Sequence, residues 1–398
     1  MKNPIPYIAI VLMLAVIACV ERIDLDRFGD TDLLVVEAEI TDQQEFQEVK
    51  LSTTASLTAE SAFMGLRGAE VWLTNLSGDR FDFFEQERGI YRSEMAFGAE
   101  LGQQYQLHIE LSGGQSYESA VVEMIPTSPI DSLYAEFTPL DDLFNPGNGD
   151  FDFYADTRQN SEENRFFKWE WNATYEVVVP TPSRYIWLGG NDFLIRERGS
   201  ANDSLQEEIC WKNERSTTIL VEELLLGETE ISRLPLISFN TLGDPRMKIR
   251  YSIELKQYAL RQESYEYWNL IRESNGGGGF LFDTQVGTIT GNIVNTNNSS
   301  ETVLGYFDVL QEQSVREFFT PADFRKLGFV AVDRFVVDCS SFDLELTAVD
   351  EIGEFMESNG EAYNLCYFQT TPPAAVFCLK ECSECTRYSD TNKRPDFW

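Results

Sequence analysis

The stretch Tyr105-Gln-Leu-His-Ile-Glu-Leu111 alternates apolar and polar side chains without a break, turns at Ser112-Gly-Gly114, and resumes from Tyr117 to Val122. A period of two belongs to a strand with one face buried, and a glycine pair between two such runs marks a hairpin. The same grammar extends outward. Leu33-Leu-Val-Val-Glu-Ala-Glu-Ile40 is a β-rich run ended by Thr41-Asp42, and Glu70-Val-Trp-Leu-Thr74 alternates and stops at Asn75-Leu-Ser-Gly78. Short strands between turn residues predict an immunoglobulin-like β-sandwich over residues 32–126. Tyr105, three residues after Gly102, is expected at a sandwich corner, with its hydroxyl bonded to nearby backbone.

Pro126-Thr-Ser-Pro129 is a stiff joint, and residues 127–398 form the expected second region, larger and also β-rich. Phe151 to Ala155 and Phe166 to Tyr175 read as a hairpin with Asp156–Asn164 as its polar tip. Further strands are expected at Tyr185–Leu188, Lys248–Leu255, Phe329–Val337 and Phe342–Val349. Gln262-Glu-Ser-Tyr-Glu-Tyr-Trp-Asn-Leu-Ile-Arg-Glu273 is a helix by spacing, with Tyr265, Trp268 and Ile271 on neighbouring faces and Asn275-Gly276 as its stop. A second, shorter helix is expected from Ser314 to Phe319. The fold class is therefore all-β with a minor helical part of one or two helices.

The N-terminus has another grammar. Lys2 precedes the apolar run Ile5–Ala18, and small Ala18 precedes Cys19. The run is too short to span a bilayer, which takes roughly 20 residues. Residues 1–18 read as a bacterial lipoprotein signal, cleaved to leave lipid on Cys19, and residues 19–31 as a tether. Glu21, Asp24 and Asp26 in that tether leave open which face of the outer membrane carries the protein.

The chain carries 66 acidic against 31 basic residues, a formal charge of −35, and so repels nucleic-acid phosphates. Besides Cys19 there are six cysteines, Cys210, Cys339, Cys366, Cys378, Cys382 and Cys385. An even number in an exported chain reads as disulfides, though six cysteines leave the pairing open. Cys382-x-x-Cys385 lacks the further ligands that zinc needs.

No catalytic constellation emerges. His108, the single histidine, alternates with Leu107 and Ile109 and faces away from them, with no nucleophile elbow in the chain. Gly276–Gly279 follows a helix and lacks the Lys-Ser/Thr of a phosphate loop. Asp150, Asp152 and Asp156 fit no calcium-loop register, since counting from Asp150 puts Ser161 at the twelfth position and counting from Asp152 puts Glu163 there but Tyr154 at the third. A carboxylate-based hydrolase stays the least favoured reading, because sequence selects no pair among so many acids. No cofactor or metal is expected, and Phe397-Trp398 reads as a packed C-terminus.

Phe282-Asp283, Gly291-Asn-Ile-Val-Asn295 and Val303-Leu-Gly-Tyr-Phe307 carry a resemblance, together with Leu34–Glu37, Ile130–Tyr134, Tyr265-x-x-Trp268, Cys382-x-x-Cys385 and Pro395-x-Phe-Trp398. In these motifs the chain resembles a family of Bacteroidota lipoproteins known as domain of unknown function 4249. It departs from that pattern at Arg261-Gln262, where a capping serine or threonine is usual, and at Thr284, where proline is usual. The resemblance implies an outer-membrane lipoprotein encoded beside TonB-dependent receptors and supplies no catalytic residues. Within it, Gly291, Asn292, Leu304, Gly305, Tyr306 and Phe307 are expected to act structurally, through tight turns, backbone bonding and core filling. The expected function is a lipid-anchored accessory binding protein that partners a TonB-dependent receptor in nutrient uptake, its ligand unknown. The alternative is a structural or assembly factor of the envelope.

Overall fold

A computed structural model describes residues 33–54, 64–141, 143–161, 164–195, 208–276, 289, 291–331, 339, 344–346, 351–371 and 373–398. The leader, the tether with Cys19, and Phe282-Asp283 lie outside these residues. The expected all-β fold with a minor helical part is what forms.

The first body holds β1 (Leu34–Thr41), β2 (Glu48–Thr53), β3 (Met64–Gly65), β4 (Glu70–Asn75), β5 (Arg80–Glu87), β6 (Ile90–Ser93), β7 (Gln104–Glu110), β8 (Ser116–Ser119) and β9 (Val122–Glu123). The second contributes β10 (Ile130–Pro139), β11 (Gly149–Arg158), β12 (Phe166–Val178), β13 (Tyr185–Gly189), β14 (Asp192–Ile195), β15 (Ile209–Arg215), β16 (Leu220–Glu223), β17 (Glu230–Asn240) and β18 (Tyr251–Leu260), then helix α1 (Gln262–Gly276). The chain continues through β19 (Ile293–Asn295), β20 (Leu304–Leu310), β21 (Glu312–Phe319), β22 (Leu344–Leu346), α2 (Ile352–Asn359), β23 (Tyr363–Thr370), β24 (Pro373–Leu379) and α3 (Lys380–Ser383).

β19 and β20 return to the first body. Its sheet runs β19-β8-β7-β4-β5-β6-β2-β1-β20, with β3 on β2 and β9 on β7. It wraps around Val36, Ile40, Leu51, Leu73, Leu107 and Phe307, all essentially inaccessible to solvent. The two ends of the sheet meet at one side chain. Asn292 donates Nδ2–H to the Phe307 carbonyl at 2.8 Å and accepts the Phe307 N–H on Oδ1 at 2.9 Å. Its amide thus stands in for a strand peptide, and the sheet is nearly closed. Closure leaves no room for β-carbons. One on Gly291 would lie 1.5 Å from the Gly305 carbonyl oxygen, and one on Gly305, at φ +97°, 1.8 Å from that of Val36. Tyr105 takes its corner position, its hydroxyl accepting the Glu100 N–H at 2.8 Å.

In the second body, β10-β11-β17 packs against a sheet ordered β15-β12-β18-β21, with β16 also on β12. The core between them is strongly aromatic, built on Phe151, Phe153, Phe167, Trp169 and Tyr251. The hairpin expected of β11 and β12 does not form. β11 is filled on both edges by β10 and β17, while β12 pairs with β15, β16 and β18. The segment between them crosses from one sheet to the other, because each strand finds longer apolar partners elsewhere. The helix expected at Ser314–Phe319 is instead β21, laid antiparallel on β18 from Tyr251↔Phe319 to Tyr258↔Glu312. The open edge of a long central strand overrides a short helical spacing, and Val315, Phe318 and Phe319 suit a strand. Phe329–Ala331 is loop, and the rest of that expected strand lies outside the described residues. Lys248–Arg250 precede β18 instead of opening it, and only Leu344–Leu346 of the Phe342–Val349 run is described as strand.

The Pro126–Pro129 joint is held from three sides. Asn164 Nδ2 donates to the Pro126 carbonyl at 2.7 Å, Asn160 Nδ2 to that of Thr127 at 3.0 Å, and Gln257 Nε2 to that of Ser128 at 2.7 Å. Gln257 Oε1 in turn accepts the Trp169 indole N–H at 2.8 Å and the Thr157 hydroxyl. Asn160 and Asn164, expected at a solvated tip, are spent here.

A smaller sheet, β22-β24-β23, packs with α2 and the β13–β14 hairpin around Leu365, Ala375 and Phe377. The disulfides are Cys210–Cys385, Cys339–Cys382 and Cys366–Cys378, so Cys382 and Cys385 do not pair with each other. The first closes a separation of 175 residues and sews the C-terminal segment to β15.

Gly305→Ala combines a left-handed φ with a backbone clash, so it is expected to lower unfolding free energy by about 3 kcal/mol or more. Urea denaturation checks this; a loss within about 0.5 kcal/mol, the size of a neutral surface change, would mean that the sheet end is not packed as described.

Candidate functional site

The outer face of the first sheet and the outer face of β12 enclose a cleft of about 750 Å³. Alternation supplies the walls. In β1, Val36, Ala38 and Ile40 enter the core, so Glu37 and Glu39 point outward. The register places Lys50, Glu37 and Tyr306 in one cross-strand row of β2, β1 and β20. In β12, Phe167, Trp169 and Trp171 are buried in the second core, and Lys168, Glu170 and Asn172 line the cleft. Helix α1 adds Tyr267 and Trp268, and the turn after β15 adds Arg215 to Thr218. The described hollow beside Asn148, Met247 and Phe329 holds about 20 Å³, space for one water at most.

Lys168 is the electrostatic centre of the cleft. Only 6% of its side chain is exposed, and its ammonium binds Glu39 of the first body and Glu170 of its own strand, the latter at 2.8 Å. The same nitrogen lies 4.5 Å from the centre of the Trp268 ring. Burial disfavours the charge, but the two carboxylates outweigh it and hold the ammonium above its ordinary pKa. An isolated ammonium in such a place would cost several kcal/mol, so Lys168 is stable there only as the shared partner of two acids.

Behind this centre, α1 is fastened to β20. The Ser264 hydroxyl donates to Asp308, whose other oxygen accepts the Val309 N–H at 3.0 Å, and Tyr267 packs on Tyr306 at 4.8 Å between ring centres. Glu312 binds Lys256 at 2.9 Å and accepts the Tyr258 hydroxyl at 3.1 Å. Sequence reading found Tyr306 as a motif residue and Trp268 as part of a helical stripe. It missed Lys168, Glu39 and Asp308, whose only signal is a charge at a strand position whose neighbours are all apolar or aromatic.

The other sequence candidates lie elsewhere. His108 stacks on Trp72 at 5.1 Å, bonds Thr74 Oγ1 at 2.9 Å and sits 3.4 Å from Glu118, held on the sheet surface away from the cleft. Asp150 accepts from Asn240, and Asp156 from Ser132 and the Arg233 N–H, all along β11 and not in a turn. Gly291 and Asn292 close the sheet, while Leu304, Gly305 and Phe307 carry it into β20. Of the expected packed end, Trp398 packs on Arg250 at 4.3 Å and is 8% exposed, whereas Phe397 stays exposed at 43%.

Burial pushes the Asp308 carboxyl up to about 7, Ser264 and Lys168 opposing and Glu39 reinforcing the shift. A carboxyl raised in the folded state favours folding while protonated. Its contribution is complete below the usual carboxylate range and is lost as pH rises to about 7. Asp308→Asn keeps an acceptor for Val309 N–H and cannot ionise. The variant is expected to gain on the parent between pH 4 and pH 7 by on the order of a few kcal/mol, with a constant gap above. Paired urea titrations across that range check this, and a gap independent of pH would refute it.

A search among curated proteins finds no match to the chain. The family model described as "Domain of unknown function (DUF4249)" matches residues 20–316. That span includes both strands that close the first sheet, every cleft residue and α1; Cys382-x-x-Cys385 and Pro395–Trp398 fall beyond it. By this match, which covers most of its length, the chain belongs to the DUF4249 family.

Proposed function

We propose that this protein is a non-catalytic binding protein of the cell envelope, anchored to the outer membrane by lipid on Cys19 and acting as accessory to a TonB-dependent receptor in nutrient uptake. The observation that carries the reading is the cleft. It is lined by polar and apolar surface in nearly equal measure, large enough for a small ligand, formed where two β bodies meet, and Lys168, its buried cation among the described residues, is neutralised in place. Three disulfides suit an oxidising compartment outside the cytoplasm. The run from Lys2 to Cys19 has the shape of a lipoprotein leader, and the resemblance drawn from the sequence motifs supplies the receptor as partner.

Tagged full-length protein, extracted from native cells in mild detergent, is expected to bring down a TonB-dependent receptor, identified by mass spectrometry. Its intact mass is expected to show an acylated Cys19 as first residue. Recovery of the protein alone overturns the partnership, and an unmodified N-terminus overturns the anchoring.

A further inference from the structure

The cleft has features that select among ligand chemistries, and the inference here rests on the reading that the cleft is a binding site. Its charges are nearly balanced, Glu37, Glu39, Glu48 and Glu170 against Lys50, Lys168 and Arg215, whereas the whole chain carries about two acids for each base. Most of these charges already serve one another. Glu39 and Glu170 hold Lys168, and Glu48 lies 3.6 Å from Lys50 and 3.4 Å from Arg92. Among the described residues, Glu37 and Arg215 are the cleft charges left without an ion pair. They stand on opposite walls, Glu37 on β1 of the first body and Arg215 at the end of β15 in the second. Each is exposed, so each is open to a ligand.

The aromatic contacts count against one common class. A sugar ring binds by lying on an open aromatic face. Here Tyr267 is packed against Tyr306, and Lys168 occupies a face of Trp268. What the wall offers instead is apolar contact from Ile219 and Leu220. The rim carboxylates repel a polyanion such as a nucleotide.

We propose that the cleft binds a short peptide with free termini. The ligand's amine pairs with Glu37 and its carboxylate with Arg215. A zwitterion satisfies both unpaired charges at once and brings the apolar side chain that Ile219 and Leu220 can cover.

The test is equilibrium dialysis of the purified full chain against a random-sequence library of unblocked tripeptides, with retained peptides read by mass spectrometry. A subset is expected to be retained. Acetylating and amidating the termini is expected to weaken binding about tenfold or more, the size of a lost charge-assisted contact. Glu37→Gln and Arg215→Gln are each expected to weaken the retained peptides similarly. Neither residue has an ion pair to lose, so both variants should keep the parent melting temperature. Glu37→Gln should abolish the preference for a free amine and Arg215→Gln that for a free carboxylate. No retained tripeptide, equal retention of the blocked library, or retention of maltotriose in place of peptides each overturns the proposal. Receptor co-purification is measured separately, so loss of peptide binding with the receptor still recovered refutes the ligand class and leaves the partnership intact.

Discussion

One parallel strand pair governs this architecture. β1 and β20 lie side by side from Val35↔Leu304 to Thr41↔Leu310, and parallel neighbours cannot be joined by a tight turn. The crossover between them contains the rest of the first sheet, most of the second body and helix α1. The first sheet is therefore finished only by chain that has already built much of the second. The same pairing carries Tyr306 and Asp308 to the outer face of β1, where α1 settles on them, and it sets the wall on which Glu37 and Glu39 stand. If β20 were to slip by one residue, Phe307 would leave the core and Tyr306 would enter it.

The meeting of the two bodies is polar, and its strength lies in mutual satisfaction. Lys168 on β12 reaches Glu39 on β1, Asp42 accepts the Glu312 N–H at 3.0 Å, and the Gln311 side chain accepts that of Thr127 at 3.0 Å. None of these contacts contributes much alone, since each replaces a contact with water. Breaking one leaves an uncompensated buried group, which is far more costly than the bond was favourable. The junction is thus specific more than it is strong, and it fixes the cleft geometry.

The local grammar of the chain was readable and its long-range grammar was not. Alternation in Tyr105–Leu111 and in β1 gave strands and their buried faces directly, and spacing with Asn275-Gly276 gave α1. Pairing was another matter. β11 and β12 are adjacent in sequence with a polar link, the usual mark of a hairpin, yet each is claimed by other strands. Ser314–Phe319 carries a weak helical pattern that the open edge of β18 overrules. Asn292 showed itself as a motif residue, but nothing local reveals that its amide completes a sheet. Lys168 is a cation flanked by aromatic residues, and its meaning depends on Glu39, far away in sequence, as well as on Glu170 beside it. The cysteines announced disulfides and withheld their connectivity for the same reason.

The amide clamps on Pro126, Thr127 and Ser128 bear on how such a cleft exchanges what it holds. With three successive carbonyls at the joint tied to the second body, the two halves have no free hinge about which to swing shut. The proposed ligand would enter a socket already shaped for it and spend little of its binding energy on ordering the host. For the binding role proposed above, the lifetime of the complex would then be a matter of a few side-chain contacts.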